Sequence, residues 1–325
     1  MSDALISPTV GGAMLAVSAG LIFYSSTHLR KNFDASKIPL MGVMGAFVFA
    51  MQMINFSIPA TGSSGHIGGA ILLAALLGPS AAFLSLTCVL IIQALFFADG
   101  GLIALGCNIF NMGFFGCFIA YPLIFKPIAK DFSNHSKVAI AAVLSAIVAL
   151  QFGAFCVVLQ TLLSGVTELP FKTFTFLMQP IHLAIGLVEG LLTAATISFI
   201  YKVRPQIFNK ECPTKSLSML ATLSFIFLAT LIVGGGVSLL ASANPDGLEW
   251  AIEHTTEGKE IVAEGEIYTA SESIQEKTSV FADYSLSGID SNASTSFAGI
   301  IGSVITLIAI LFLGFILKKR KTINV

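Results

Sequence analysis

Of 325 residues, 55% are hydrophobic and only 11% are Asp, Glu, Lys or Arg, with a mean hydropathy of +0.88. Soluble domains carry about 25% charged residues, so this composition excludes one. The 17 basic and 18 acidic residues nearly cancel, which removes any case for a nucleic-acid partner resting on overall charge and leaves the lipid bilayer as the first partner.

A membrane-crossing helix needs roughly 20 mostly apolar residues. Nine such stretches, some short, lie near 10–26, 39–57, 67–79, 81–97, 102–125, 138–163, 178–200, 217–240 and 298–317. They predict an all-α integral membrane protein of about nine transmembrane helices, seven plus two. The third stretch is the weakest, because Gly78-Pro79 cuts it short, and a re-entrant or half-length helix is the competing reading there. Asp3 and no Lys or Arg precede the first stretch, so the basic n-region of a signal peptide is missing and the first span is expected to stay attached.

Basic residues alternate by loop. Arg30, Lys31 and Lys37, then Lys126, Lys130 and Lys137, then Lys202, Arg204, Lys210 and Lys215, and finally Lys318, Lys319, Arg320 and Lys321 make 14 of the 17, while the intervening loops hold only Lys172, Lys259 and Lys277. The positive-inside rule therefore puts the N-terminus outside and the C-terminus in the cytoplasm, in a cell (inner) membrane. Residues 1–201 form a dense block of seven spans, 202–216 a cytoplasmic basic linker, and 217–325 a second unit of two spans around an acidic extracytoplasmic loop, 244–297. That loop carries eleven Asp and Glu against Lys259 and Lys277. Its sparse apolar content argues against a strong core of its own, although Trp250, Ile252, Ile261, Val262, Ile267 and Tyr268 offer a small one. Cys88, Cys107, Cys117 and Cys156 fall in apolar stretches and Cys212 in a basic loop, without zinc spacing, and read as small hydrophobes.

The loop Thr61-Gly62-Ser63-Ser64-Gly65-His66-Ile67-Gly68-Gly69 can fold closely around something, since glycine permits tight backbone approach and neutral imidazole is a common metal ligand. Spacing alone leaves His66 as either a ligand or an ordinary loop histidine. Ala98-Asp99-Gly100-Gly101 makes another outer turn. Asn108 and Asn111 share a helix face, where they need partners; interhelical bonding and support of a site are both open. His182, Gly186 and Glu189 lie on one face of the seventh span, and intramembrane ionisable groups are costly enough to suggest function, although a structural His-Glu pair explains them equally. Gly186 and Gly190 form a small-xxx-small pair for close helix packing. No HExxH, GxSxG or paired carboxylates within a span support an enzyme, and no GxxxxGK[ST] supplies a nucleotide site.

Taken together, Ile38-Pro39-Leu40-Met41-Gly42, Thr61 to His66, Ala98 to Gly101, Gly106-Cys107-Asn108-Ile109-Phe110-Asn111-Met112-Gly113 and His182 to Glu189 resemble the CbiM/NikM family over residues 1–201. These are the membrane substrate-capture (S) components of energy-coupling-factor ABC transporters for cobalt or nickel. Asn244-Pro245-Asp246-Gly247-Leu248-Glu249 resembles the PDGLE signature of their two-span companion subunit (CbiN/NikN-like), here fused.

The resemblance implies uptake of Ni(II) or Co(II) as cargo, with no permanently bound cofactor and no catalysis. It implies a transmembrane coupling protein (CbiQ/NikQ-like) and cytoplasmic ATPases (CbiO/NikO-like) as partners. In the family the ion is held by the N-terminal amine, the backbone nitrogen and imidazole of a histidine at position two, and a loop histidine, a planar four-nitrogen set suited to a d8 ion. His66 matches the loop ligand, and Ser64, Asn108, His182 and Glu189 are candidates to support it. The chain starts Met1-Ser2-Asp3 where the family starts Met-His; alignment on Asp3 and Ser7-Pro8 leads us to expect a Met-His before Met1, a misplaced start codon. As written, Ser2 favours excision of Met1, which leaves no histidine at the terminus. The alternatives are a gradient-driven secondary transporter and a structural or regulatory membrane protein.

Overall fold

The computed structural model describes residues 1–31, 34–209, 217–259, 261–286 and 291–318. Cys212, Lys210, Lys215, Lys319, Arg320 and Lys321 lie outside the described residues. The apolar stretches become α1 (Pro8–Lys31), α2 (Ile38–Gln52), α3 (Ala70–Leu77), α4 (Pro79–Phe96), α5 (Leu105–Ile128), α6 (His135–Ser164) and α7 (Phe171–Val203). In the second unit, α8 (Met219–Gly235) is followed by two shorter helices, α9 (Gly247–Thr256) and α10 (Glu266–Thr278), and by α11 (Ser291–Leu317).

Among the described residues eight helices are long and apolar enough to cross a membrane, against about nine expected. The difference is the third stretch. At 1.5 Å per residue the eight residues of α3 cover about 12 Å, well short of a hydrocarbon core of about 30 Å. Gly69 at φ +78° and Gly78 at φ +86° bound it, both in the left-handed region that glycine tolerates, and Pro79 starts the next helix with its ring at the first position. The chain nevertheless gets across. His66 lies with Met1 and Gly101 around a cavity at one end of the bundle, whereas Gly78 lies with Lys37, Lys126 and Lys130 around a cavity at the other. The half-length helix is thus entered through non-helical chain, residues 66–69. α11 ends beside the start of α2, where a Cβ on Gly314 would stand 2.7 Å from Ile38. Met1 and the end of α11 are therefore at opposite ends of the bundle.

Close backbone approach holds the first seven helices together. A Cβ on Gly186 would lie 2.8 Å from the Cα of Ile147, and one on Gly190 would overlap Val143, so α7 and α6 meet backbone to backbone. The same holds for Gly11 on α1, where a Cβ would sit 2.5 Å from the Ile103 carbonyl oxygen, while Ser18 Oγ donates to the Gly106 carbonyl at 2.7 Å. Helices α8 and α11 pack on α2 and approach each other at Gly234 and Gly299. Cys107 and Cys117 are buried and Cys88 and Cys156 half-buried, all as free thiols, as small hydrophobes would be.

The acidic loop folds, but not around a core of its own. Ala251 is fully buried, and Leu248, Trp250, Ile252 and Ile261 pack with it against a cluster that includes Leu5, Ile6, Phe174 and Met178 of the first block. Val262 and Ile267 remain exposed, and Tyr268 is used through its hydroxyl, which donates to the Ile6 carbonyl at 3.0 Å.

Candidate metal-capture site

The His66 loop is a short antiparallel hairpin, Phe56–Ile58 with Ser63–Gly65, in which Ser57 pairs Ser64. Gly65 has no Cβ because Ile185 of α7 fills that space. Beyond the hairpin the backbone is held from two helices. Each oxygen of Glu189 accepts one backbone N–H, Oε2 from Gly68 at 2.8 Å and Oε1 from Gly69 at 2.9 Å. Gln52 Nε2, at the end of α2, donates to the Gly68 carbonyl at 2.9 Å. These bonds replace the helical ones that residues 66–69 forgo, as burial requires. His66 Nδ1 lies 3.2 Å from the Ile67 carbonyl oxygen; donation there leaves Nε2 as the nitrogen with a free lone pair.

The first residues form the facing wall. The Met1 amine donates to Asn108 Oδ1 at 3.0 Å, and the Met1 carbonyl accepts from Asn108 Nδ2 at 3.2 Å and from the Gly101 N–H at 3.0 Å. Asn108 thus holds the chain start. Asn111 does the other job that the sequence left open: its carboxamide exchanges two hydrogen bonds with Gln160 of α6, at 2.7 and 3.0 Å. Asp3 accepts from the Ala104 N–H at 2.9 Å and from Ser271 Oγ at 2.6 Å, and a Cβ on Gly101 would overlap it.

The signature Pro245-Asp246-Gly247-Leu248-Glu249 becomes legible atom by atom. Ser64 donates through its N–H to the Pro245 carbonyl at 2.8 Å and through Oγ to the Asn244 carbonyl at 2.8 Å. Asp246 Oδ1 accepts from the N–H groups of Leu248 and Glu249, both at 2.8 Å, and Glu249 Oε2 accepts from the Asp246 N–H at 3.1 Å. This is a capping box. Gly247 presses on α7, where a Cβ would lie 2.6 Å from Ile181 and 3.4 Å from His182. Gln275 and Tyr284 then hold the 98–101 turn: Nε2 of Gln275 donates to the Gly100 carbonyl at 2.8 Å and the Tyr284 hydroxyl donates to Asp99 at 2.5 Å.

These elements enclose a cavity of about 470 Å³ lined by Met1, Asp3, Gln52, His66, Asp99, Gly101, Asp246, Glu249, Asp283 and Tyr284 among others, with no Lys or Arg among the described lining residues. Partial burial, then the charges of Asp246 and Asp99, raise the Glu249 carboxyl above its usual range against the opposing Asp246 N–H. Burial, then Asp99, pushes the Tyr284 phenol well above its ordinary value. Such a cavity attracts cations. Among the described residues no three His, Cys, Asp or Glu side chains converge tightly enough to hold a metal ion. The candidates divide accordingly: His66 lines the cavity, Asn108 and Glu189 hold its walls, and Ser64 docks the outer segment. His182 stands behind Gly247 with Nδ1 2.8 Å from the Met178 carbonyl oxygen, and its partner is not Glu189, whose oxygens go to the loop.

Residues 1–207 match the CbiM family, described as the cobalt uptake substrate-specific transmembrane region. The chain belongs to the CbiM family. Residues 220–319 of this CbiM-family chain match the PDGLE domain. It is 31% identical over 323 residues to a protein of Archaeoglobus fulgidus named as a fused nickel transport protein, NikMN, covering 98% of this chain and 97% of the relative. A fused nickel transport protein NikMN of Rhodobacter capsulatus is 26% identical over 273 residues, 78% of this chain and 76% of its own length. The crystal structure of a truncated transition metal transporter superimposes with a TM-score of 0.54 at 32% identity, over 62% of this chain and 98% of that one. Family and helices together make this a multi-pass membrane protein. Sequence reasoning passed over Gln52, Ser271, Gln275 and Tyr284, of which Gln52, a carboxamide closing an apolar run, was the visible signal.

Proposed function

We propose that this CbiM-family protein captures Ni(II) or Co(II) in the acidic cavity and serves as the substrate-binding membrane component of an energy-coupling-factor transporter. The observation that carries the reading is the convergence of the N-terminal residue, the His66 loop and the Gly100-Gly101 turn on one carboxylate-lined cavity free of Lys and Arg among its described lining residues. His66 Nε2 is the proposed loop ligand, with a Met-His ahead of Met1 bringing the N-terminal amine and the second imidazole. Asn108 holds the Met1 nitrogen to which that dipeptide would be joined and Glu189 holds the loop, the kind of outer-shell support that tunes metal affinity; Ser64 and His182 act at longer range, by seating the 244–249 segment. The proposed units are 1–201 for capture, 202–216 as cytoplasmic linker and 217–325 as companion, with the cavity outside and the Lys37–Lys126 end in the cytoplasm.

Energy comes, in this reading, from separate ATPases acting through a transmembrane coupling protein, because the chain carries no GxxxxGK[ST]. The exposed side of α1 supports such a partner: Gly12, Ala16 and Gly20 lie four apart, and no heavy atom comes within 4 Å of a Cβ placed on either glycine, the small-residue face that lets membrane helices dock.

The deciding experiment titrates purified protein with Ni(II) and Co(II), as written and extended by Met-His, each with and without His66→Ala. Tight binding by the extended form that His66→Ala removes is the expected result. Equal binding by both starts rejects the four-nitrogen set, and no binding by any form rejects metal capture. Uptake by cells lacking the ATPases favours a gradient-driven transporter instead.

A further inference from the structure

The wall of the cavity contains one group that the ligand set above leaves unused. Gln52 is 5% exposed and lines the same cavity as His66. Its Nε2 is committed to the Gly68 carbonyl, and since that partner accepts only, the carboxamide orientation is fixed. Its Oε1 is buried and accepts no hydrogen bond. Buried side-chain oxygens without a donor are costly and call for an explanation. Of those found among the described residues, this is the one on the wall of this cavity. Among the described residues, no three of the His, Cys, Asp and Glu side chains on this wall come close enough together to hold a metal ion, which leaves carboxamide oxygen among the donors open to a captured cation.

We propose that Gln52 Oε1 is an oxygen contact to the captured ion, outside the plane of nitrogens, and that it sets the balance between cobalt and nickel. This rests on the capture reading above. Planar four-nitrogen coordination satisfies Ni(II) and leaves little affinity for an axial oxygen, whereas Co(II) gains from a fifth ligand. A carboxamide anchored through its nitrogen to the loop that carries His66 delivers that oxygen with little freedom to lose. Gln52 thereby favours Co(II) over what four nitrogens alone would choose.

The test uses the full chain in whichever of the two starts binds metal, with Co(II) and Ni(II) alone as probes. Gln52→Leu is expected to lower Co(II) affinity about tenfold, the scale of losing one group around a metal site, and to change Ni(II) affinity less than about threefold. The visible ligand-field absorption of bound Co(II) should shift as a ligand is lost. Gln52→Glu keeps an oxygen but gives up the donor to Gly68; under this proposal it retains Co(II) better than Gln52→Leu, whereas a purely structural clamp predicts that both fail alike. Parallel losses for the two ions, an unshifted Co(II) spectrum, or binding unaffected by Gln52→Leu overturns the inference while leaving capture standing. Absence of binding by the unmodified chain in both starts overturns the two together.

Discussion

Where α6 and α7 run side by side, Gly186 and Gly190 lack a Cβ because Ile147 and Val143 occupy its place. Where α9, α10 and the chain beside them cover the cavity, one apolar face packs on Leu5, Ile6, Phe174 and Met178, and the rest of the contact is made by separate hydrogen bonds, from Ser64 to Pro245, Ser271 to Asp3, Gln275 to Gly100 and Tyr284 to Asp99. The difference follows from the two solvents. In hydrocarbon no hydrophobic force presses helices together, so fit of backbone on backbone must do it. Outside, water competes for every polar group and each bond is worth about 1 kcal/mol net. The bundle is therefore a frame held by backbone fit, and the cap a piece seated on it by one apolar cluster and scattered polar contacts.

The largest effect is expected from breaking the frame. Gly190→Leu forces α7 off α6 at a cost of about 3 kcal/mol or more, read as loss of a cooperative thermal transition in detergent. Glu189→Leu comes next. It orphans the N–H groups of Gly68 and Gly69 at about 1–3 kcal/mol each and should free the His66 loop to proteases, with metal binding lost, while Glu189→Gln, able to accept one of the two bonds, falls between.

Changes to the cap should leave the frame alone. Gly247→Ala meets Ile181 at 2.6 Å and is expected to cost about 1–2 kcal/mol, read as faster amide exchange over 247–256 with α1–α7 unchanged; equal acceleration throughout would show that cap and frame unfold as one. Ser271→Ala should cost about 1 kcal/mol, confined to the cap. The smallest effect is a pH dependence. The folded carboxyl of Glu249 titrates above its usual range because of partial burial and the Asp246 and Asp99 charges. The folded state therefore binds the proton more tightly than the unfolded one. Cap stability should fall as pH rises through that window, and is recovered below the ordinary carboxylate range. Glu249→Gln should flatten the profile.

The spans were readable because apolar runs answer to hydrocarbon alone, and the half-length third one was readable from Gly78-Pro79. What residues 66–69 do instead of forming helix was not readable, since their partner, Glu189, lies some 120 positions away. The face shared by His182 and Glu189 was correctly placed on one helix, yet periodicity says nothing of which neighbour takes each side chain, and the two part company, one to the capped helix and one to the loop. The acidic loop seemed short of a core because its apolar residues were counted against each other; Trp250 and Ile252 find their partners in the first block. Asp246 and Glu249 formed a capping-box spacing in plain view. Gln52 gave no sign that one of its atoms would be left without a partner.

The docking of α9 and α10 gains a further meaning from the chain that carries them. Both ends of the cap are tethered, by α8 on one side and α11 on the other, and these helices are themselves wedged against α2. Closure is therefore an intramolecular event, governed by an effective concentration that short tethers raise to the millimolar range or about that. Bonds too weak to recruit a free subunit are enough here. A cap that lifts from this seat stays within reach of it and does not have to be found again from solution.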